Sequence, residues 1–436
     1  GFEQWLSSWW VEMPGSAKLA ALGFMIFGCG VEMAGITVSR GIVKWFQGKE
    51  MALAMGTEMA LARVGVAVVM VGSPMVAAFG DSISVSRPVG LAVLLMIIGL
   101  ICFIVYGFMD KKLDKEGVQE EKDDPFKVSD LGKIFSSGVF WIVAMLCVLY
   151  YSAIFPFQKY AVNMLQCNIA FTAPDSEFWA SNTATIIQYV IMLVVAAAAF
   201  ASNFQKNKGA KYGLMALAIV ALVGYCYMGY KCQSAAAMFA VFPLLAVGIT
   251  PILGHYVDYK GKAASMLVFG SLLLIICHLT FAFVLPQFKD SPAISVTLAY
   301  VTILVLGASF SLVPASLWPS VPKLVDAKII GSAYALIFWI QNIGLWLFPL
   351  LIGKVLDNTN PDIAQGVANG TLTPEQAAIS YNYTAPLVML AGLGVAALAL
   401  GLLLKVVDRK KGLGLELPNI TPSAEVEESE AVAAEE

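Results

Sequence analysis

Two opposite charges, Glu32 and Arg63, lie deep inside apolar stretches of the sequence. Arg63 follows the charged turn at Lys49 and Glu50 by thirteen residues, roughly 20 Å at the helical rise of 1.5 Å per residue. A hydrocarbon core is about 30 Å thick, and a guanidinium inside it costs at least about 2.5–3.5 kcal/mol. Glu32 lies at a similar distance on the other side of the turn. An acid and a base at matched depth indicate a functional site.

The two charges suit a ligand that carries both signs. Glu32 would bind a protonated amine, and Arg63 would bind a carboxylate through its planar fork of donors. The alternatives are structural: a small-residue packing face around Glu32, and a buried salt bridge of Arg63 with Glu32 or Glu58. Glu58 precedes Arg63 by five residues, about 140° around a helix. It is a candidate proton site.

Polar and aromatic residues in later apolar stretches are further candidates. Tyr150 and Tyr151 precede Pro156, which can kink a helix and serve as a hinge, or they belong to an interfacial aromatic belt. Gln341 and Asn342 lie mid-stretch, where amides bond between helices or touch substrate. We treat Trp318 and Trp339 as packing residues. His278 is a buried core histidine or a proton relay.

Composition indicates a polytopic membrane protein. The chain has 436 residues, of which 59% are hydrophobic and only 13% charged, against about 25% charged in ordinary globular domains. We find no motif of a hydrolase, kinase, nucleotide-binding enzyme or metal site, and no basic face for nucleic acid. We therefore expect no enzymatic activity, no cofactor and no bound metal.

Cys167 and Cys232 both fall in predicted outer loops, where a disulfide between them is an option.

Eleven apolar stretches are long enough to span a bilayer, and without water they must be helical. They cover residues 17–43, 51–79, 88–109, 138–160, 181–202, 212–230, 234–253, 263–285, 293–318, 329–352 and 384–407. Placing the turn at 45–50 inside and alternating sides puts 20 of the 27 basic residues in the cytoplasm and six outside, with Arg63 in the membrane. The C-terminus is then cytoplasmic. We expect an integral protein of the bacterial inner membrane, and a monomer.

The loop at 254–262, with sequence GHYVDYKGK, resembles the G-x-x-x-D-x-x-G-[RK] signature of the major facilitator superfamily, in its second-half copy. Further blocks are similar to the branch that contains the lysosomal dipeptide transporters. These blocks are FGCGVE at 27–32, WFQGKE at 45–50, ARVG at 62–65, YYSAIFPF at 150–157, LWP at 317–319, GSAY at 331–334 and IQNIG at 340–344. The resemblance extends from about residue 22 to residue 357.

The resemblance implies an all-α, polytopic major-facilitator bundle, present here in part. The first stretch matches the family's fourth helix, so helices one to three are absent, and Phe24 stands where the family has a basic residue. We expect the following domains: family helices four to six at 1–109, a cytoplasmic linker at 110–137, a C-terminal bundle at 138–407 with two extra helices at about 181–230, and a disordered acidic tail at 408–436. Without the first three helices the chain should not transport, whereas a complete parent should.

The function implied is secondary transport of a small zwitterionic solute, a dipeptide or amino acid, by alternating access, with protons as a candidate coupling ion. Substrate contacts fall to Glu32 and Arg63 together with Tyr150, Tyr151, Gln341 and Asn342, and proton coupling to Glu58 or His278. Glu50, Gly254, Asp258 and Gly261 would latch the cytoplasmic side. The alternatives are an organic-anion or sugar-acid proton symporter on the same fold, and a membrane receptor that does not transport.

Overall fold

The structure is a computed structural model, and it describes residues 2–9, 13–46, 51–80, 82–115, 128–325 and 330–418. Every regular element within these residues is helical. The helices are α1 Phe2–Ser8, α2 Gly15–Phe46, α3 Met51–Ala77, α4 Ser86–Lys115, α5 Val128–Phe135, α6 Gly138–Asn168, α7 Glu177–Ala180, α8 Asn182–Ser202, α9 Lys208–Lys231, α10 Ala235–Phe239, α11 Val241–Lys260, α12 Ala263–Leu279, α13 Pro292–Ser320, α14 Ile330–Thr359, α15 Pro361–Ala368, α16 Pro374–Ala378 and α17 Thr384–Lys411.

Ten helical segments in the described part of the chain are long and apolar enough to cross a membrane. Each corresponds to one of the eleven predicted stretches. The remaining stretch is α3, in which residues Leu61–Ala77 form a shorter apolar helix. The prediction of an all-α, polytopic membrane protein is confirmed.

Helix α4 continues to Lys115, and α5 forms within the predicted linker. Cys167 and Cys232 are both free thiols, so the disulfide considered from the sequence is not formed. Glu50 lies outside the described residues.

The chain divides into two compact units, and the boundaries fall inside α3 and α4. The first unit comprises Gly1–Met59 and Ile98–Lys122. Within it, the indole of Trp45 donates a hydrogen bond to Asp110 at 3.0 Å, and the hydroxyl of Tyr106 donates to the same carboxylate. Gly41 lets the Tyr106 ring approach, because a Cβ at this position would lie 2.5 Å from the tyrosine hydroxyl.

The second unit comprises Ala60–Ile97 and Asp123–Glu436. Its core lies where α6 packs against α14 and α17, and where α13 packs against α11 and α12. Helices α8 and α9 pack on each other, and α8 also contacts α11. Side-chain caps begin several of these helices: Ser137, Ser181, Asn207 and Ser234 each accept a hydrogen bond from a backbone N–H three residues later.

The C-terminal end of α12 is irregular, and a proline explains it. The helix widens into a π turn over Thr280–Val284 and then tightens into a 3₁₀ turn over Leu285–Phe288. Pro286 has no N–H to donate to the carbonyl of Ala282, four residues earlier. That carbonyl instead accepts a hydrogen bond from the hydroxyl of Thr384, the first residue of α17, at 3.2 Å. Pro156, by contrast, leaves α6 continuous.

Candidate functional site

Arg63 on α3 lies against an aromatic ring of α13. Its guanidinium carbon is 4.6 Å from the centre of the Phe310 ring, and the Arg63 side chain is half-buried. A cation above a ring is stabilised by about 0.5–2 kcal/mol, more as the pair is desolvated. A ring supplies no oxygen acceptor. Among the described residues of the second unit, no carboxylate forms an ion pair with Arg63.

Phe310 belongs to a group of aromatic side chains from α6, α13 and α14. We call this group the aromatic cluster; it consists of Tyr151, Phe155, Phe310, Trp318 and Phe338. The rings of Tyr151 and Phe155 stack at 5.3 Å, and the Phe155 ring meets Phe310 edge-on at 5.6 Å. On the other side, Trp318 stacks on Phe338 at 4.6 Å. Three helices thus contribute to one apolar surface beside the guanidinium.

Hydrogen bonds fix the polar atoms of this cluster. The indole N–H of Trp318 donates to the Tyr151 hydroxyl at 3.1 Å, and the Tyr334 hydroxyl donates to the backbone carbonyl of Trp318 at 2.9 Å. Because Tyr151 acts as the acceptor, its own hydroxyl hydrogen remains to be donated. Tyr151 is 8% exposed. The site therefore offers a guanidinium and a phenol as donors, framed by aromatic rings.

Tyr150, predicted from the sequence alongside Tyr151, has different surroundings. Successive helical residues point about 100° apart, so the two tyrosines face different neighbours. The Tyr150 hydroxyl is fully buried, donates to the carbonyl of Leu267 on α12, and lies 2.6 Å from the hydroxyl of Ser271. These contacts join α6 to α12.

Gln341 and Asn342 are also separated by the geometry of α14. The Gln341 side chain is buried, and its oxygen accepts a hydrogen bond from the thiol of Cys147 on α6 at 3.1 Å. Asn342 is exposed, and its amide donates to the carbonyl of Phe338, one turn earlier in the same helix, at 3.1 Å. Gln341 therefore bonds between helices, one of the two roles that its depth in the membrane predicts.

The two predicted acids lie in the first unit. Glu32 is exposed on α2, and Glu58 is half-buried on α3. Arg63 belongs to the second unit. The predicted partnership of Glu32 and Arg63 around one ligand stays a prediction.

His278 is enclosed on α12. Its Nδ1 atom lies 2.9 Å from the carbonyl of Leu274, and its ring meets Phe157 edge-on at 5.2 Å. Within the described chain, its Nε2 atom has no hydrogen-bond partner. No group of three or more His, Cys, Asp or Glu side chains in the described ranges is arranged to hold a metal ion.

Three of the predicted gate residues, Gly254, Asp258 and Gly261, lie in the last turns of α11 or directly after it. Asp258 is half-buried near the end of α11. Gly254 is in open surroundings, because a Cβ there would meet no atom within 4 Å. Gly261 has a φ of +73°, which favours glycine, and its missing side chain leaves room for the backbone of residues 416–418.

Comparison with known proteins gives similarity to one kind of transporter. The chain is 26% identical over 350 residues to the "Lysosomal dipeptide transporter MFSD1" of Danio rerio, covering 78% of this chain and 60% of that protein. The proteins of the same name from Bos taurus and Homo sapiens are 24% and 23% identical, with similar coverage. The chain thus spans about 60% of the length of the curated relatives it matches. No protein-family model matches the chain.

These similarities confirm the predicted resemblance to the lysosomal dipeptide transporter branch. With the helical bundle, they support an all-α membrane protein of the major facilitator type. Sequence reasoning missed Phe310, because a phenylalanine in an apolar helix carries no distinguishing signal. It assigned Trp318 to packing, although Trp318 orients the Tyr151 hydroxyl. The sequence signal that could have pointed to Trp318 was its place in the LWP block at 317–319, one of the blocks that carry the family resemblance.

Proposed function

We propose that the protein is a secondary transporter of a small solute that carries a carboxylate, and that its substrate is a dipeptide or amino acid moved by alternating access. One observation carries the proposal: the guanidinium of Arg63 rests on the Phe310 ring and is half-buried. Such a group is held in place, yet its N–H donors still need oxygen acceptors. A carboxylate supplies two in one plane.

Hydrogen bonds to a ligand carboxylate would stabilise the guanidinium more than the ring contact does alone. The ring contact contributes about 0.5–2 kcal/mol, whereas hydrogen bonds to charged groups contribute about 1.5–3 kcal/mol each. Because no carboxylate of the described second unit pairs with Arg63, a ligand carboxylate can bind it without displacing one. Tyr151 can donate a further hydrogen bond. We propose that Glu32 binds the ligand's amine, and that Tyr150 and Gln341 serve mainly to join helices.

A ligand screen by thermal unfolding tests this proposal. A bound ligand stabilises by about 2.7 kcal/mol at one hundred times its dissociation constant. We expect dipeptides or amino acids to raise the melting temperature in a concentration-dependent way, and Arg63→Ala to abolish the effect. Arg63→Lys is the matched control, since it keeps the charge and loses the planar fork. Ligand-induced shifts that persist in Arg63→Ala would remove Arg63 from the site.

An organic-anion or sugar-acid proton symporter is the second candidate. The observation in its favour is that Arg63 is the charged group beside the aromatic cluster within the described second unit. Such a carrier should bind acids that lack an amine, and it should tolerate Glu32→Gln at low pH. A dipeptide carrier should lose affinity with Glu32→Gln at neutral pH, where a carboxylate would bind the ligand's ammonium group.

Transport itself requires a flux measurement. Counterflow of a labelled ligand into proteoliposomes that hold the full-length parent separates a carrier from a receptor, because a receptor binds ligand without exchanging it. We also propose a monomer in the bacterial inner membrane, with the C-terminus in the cytoplasm and protons as the candidate coupling ion. Labelling of single cysteines from each side of sealed vesicles tests the sidedness.

A further inference from the structure

The chain folds back on itself after its last long helix. Helix α17 ends at Lys411 and is capped by Gly412, whose φ of 63° and ψ of 40° place it in the left-handed region. The N–H of Gly412 donates to the carbonyl of Asp408 at 2.8 Å. Gly414, with a φ of 76°, supplies a second turn. We call residues 412–418 the strap. The sequence predicted disorder from residue 408 onward, and the structure differs over 408–418 because these turns bring the strap onto the bundle.

The strap pairs with the loop between α11 and α12. The backbone N–H groups of Lys262 and Ala263 donate to the carbonyls of Glu416 and Leu415, each at 3.1 Å. Leu415 is fully buried in the core, and its own N–H donates to the carboxylate of Asp408 at 3.0 Å. Burial of this leucine together with backbone pairing distinguishes the strap from a solvated tail.

The strap also supplies the cap of α12. The N-cap residue of this helix, Lys262, has left-handed backbone angles, and its side chain makes no capping hydrogen bond. The Glu416 carboxylate takes that role: it accepts the backbone N–H of Ser265 at 2.7 Å and the Ser265 hydroxyl at 2.9 Å. An acid near the first turn of a helix satisfies free N–H groups and interacts favourably with the helix dipole. Lys405 of α17 donates to the same hydroxyl at 2.6 Å.

The end of α13 is tied to the same segment. The ammonium of Lys323 donates to the carbonyls of Gly414 and Leu417, each at 3.0 Å. Burial lowers the pKa of Lys323, and the nearby carboxylates of Asp408 and Asp258 oppose that shift. Lys323 lies just after α13, and its two acceptors are backbone oxygens that a docked strap provides.

Gly261 accommodates this arrangement. A Cβ at this position would lie 2.6 Å from the carbonyl carbon of Leu417 and 2.8 Å from the nitrogen of Pro418. Both are backbone atoms, which cannot rotate away as a side chain can. The second glycine of the signature loop therefore serves the strap as well as the turn.

We propose that the strap is a built-in clamp that positions the α11–α12 loop, the start of α12 and the end of α13 as one rigid assembly. Released from the strap, the loop loses two backbone hydrogen bonds, α12 loses its cap, and Lys323 loses both acceptors. The clamp stands on these contacts alone. Its effect on transport rests on the proposed function, since Gly261 of the proposed gate lies in the loop, and Gly254 and Asp258 of that gate lie in the last two turns of α11, which the loop follows.

Two truncations of the chain test the clamp by amide hydrogen exchange in lipid nanodiscs, without substrate. Ending the chain after Lys411 removes the strap together with the tail. Ending it after Pro418 removes only the tail at 419–436, so this longer chain is the matched control. We expect exchange at Lys262, Ala263 and Ser265 to rise about tenfold or more in the shorter chain and to stay unchanged in the longer one. Equal exchange in the two chains would overturn the clamp.

Point variants cover the case in which the shorter chain fails to fold. Glu416→Ala removes the cap alone, and we expect exchange at Ser265 to rise relative to the unmodified protein while amides in the middle of α13 stay unchanged. Unchanged exchange at Ser265 in this variant would also overturn the clamp. Counterflow is then measured on the same variants. A loss of exchange protection in these variants, without any counterflow in the full-length parent, would leave the clamp standing and count against the proposed transport.

Discussion

The aromatic cluster and the strap treat two cations, Arg63 and Lys323, in opposite ways. Near the middle of α13, Phe310 offers a ring face to Arg63 and supplies no oxygen acceptor. Just after the end of α13, Lys323 donates to two backbone carbonyls of the strap. Within the described second unit, Arg63 pairs with no carboxylate, whereas Lys323 is satisfied by backbone oxygens of the same chain. The difference separates a position suited to a ligand from a position suited to holding the fold.

Replacement of Gly261 by Ala should have the largest effect on stability. The added carbon collides with the strap backbone and is strained at positive φ, so we expect a loss of about 2 kcal/mol or more in unfolding free energy. Gly254→Ala is the control, because a Cβ at this position of α11 would meet no atom within 4 Å. This substitution should leave the unfolding free energy unchanged or raise it slightly. Thermal unfolding of both variants measures the contrast. Equal melting temperatures would mean that the strap contributes little.

Phe310→Leu should weaken ligand binding by about 0.5–2 kcal/mol, because Arg63 loses the ring that holds it. Phe281→Leu is the matched control: this ring is buried against Phe157, away from Arg63. We expect Phe281→Leu to lower the melting temperature and leave ligand-induced shifts intact. If the two variants alter ligand affinity alike, the ring does not position the guanidinium.

The neighbouring tyrosines should respond in opposite ways to removal of the hydroxyl. Tyr150→Phe should cost about 1 kcal/mol of stability, since bonds to α12 are lost, with no change in affinity. Tyr151→Phe should lower affinity, because it removes a ligand donor and the acceptor of the Trp318 indole. Thermal unfolding with and without ligand measures both quantities. The reverse pattern would place Tyr150 at the ligand instead.

Lys231→Gln should have the smallest effect. Lys231 pairs with Asp175 at 2.6 Å on the exposed surface, where ion pairs contribute little and salt screens them. We expect no resolvable change in melting temperature at low or high salt. A fall of several degrees would show that the loop before α7 is held in place by this pair.

Much of the fold was predictable because the membrane leaves few choices. Each long apolar stretch must be helical, so the spans emerged with ends within several residues of those observed. Arg63 could be singled out as a candidate for the same reason, since a permanent charge in an apolar helix is costly, and its role stays a prediction. Its aromatic neighbour was not, because Phe310 differs from other apolar residues only by what lies beside it in three dimensions.

The strap shows where composition misleads. Residues 412–418 precede a run of glutamates, and the whole segment was predicted as a solvated tail. The information that orders it is local: two glycines that permit the turns and one leucine that reaches the core. Glu416 resembles the other tail glutamates in sequence, and only its distance from Ser265 identifies it as a helix cap. Tyr150 and Tyr151, adjacent in sequence, likewise required the structure to be told apart.

The irregular end of α12 has an evolutionary consequence. Pro286 cannot donate to the carbonyl of Ala282, and Thr384, nearly one hundred residues later, donates to it instead. The two positions should therefore vary together among related sequences. Where a residue with an N–H replaces the proline, the selective pressure for a hydroxyl at position 384 should relax, and valine or alanine should become acceptable there. An alignment of close relatives would reveal this covariation without any experiment on the protein.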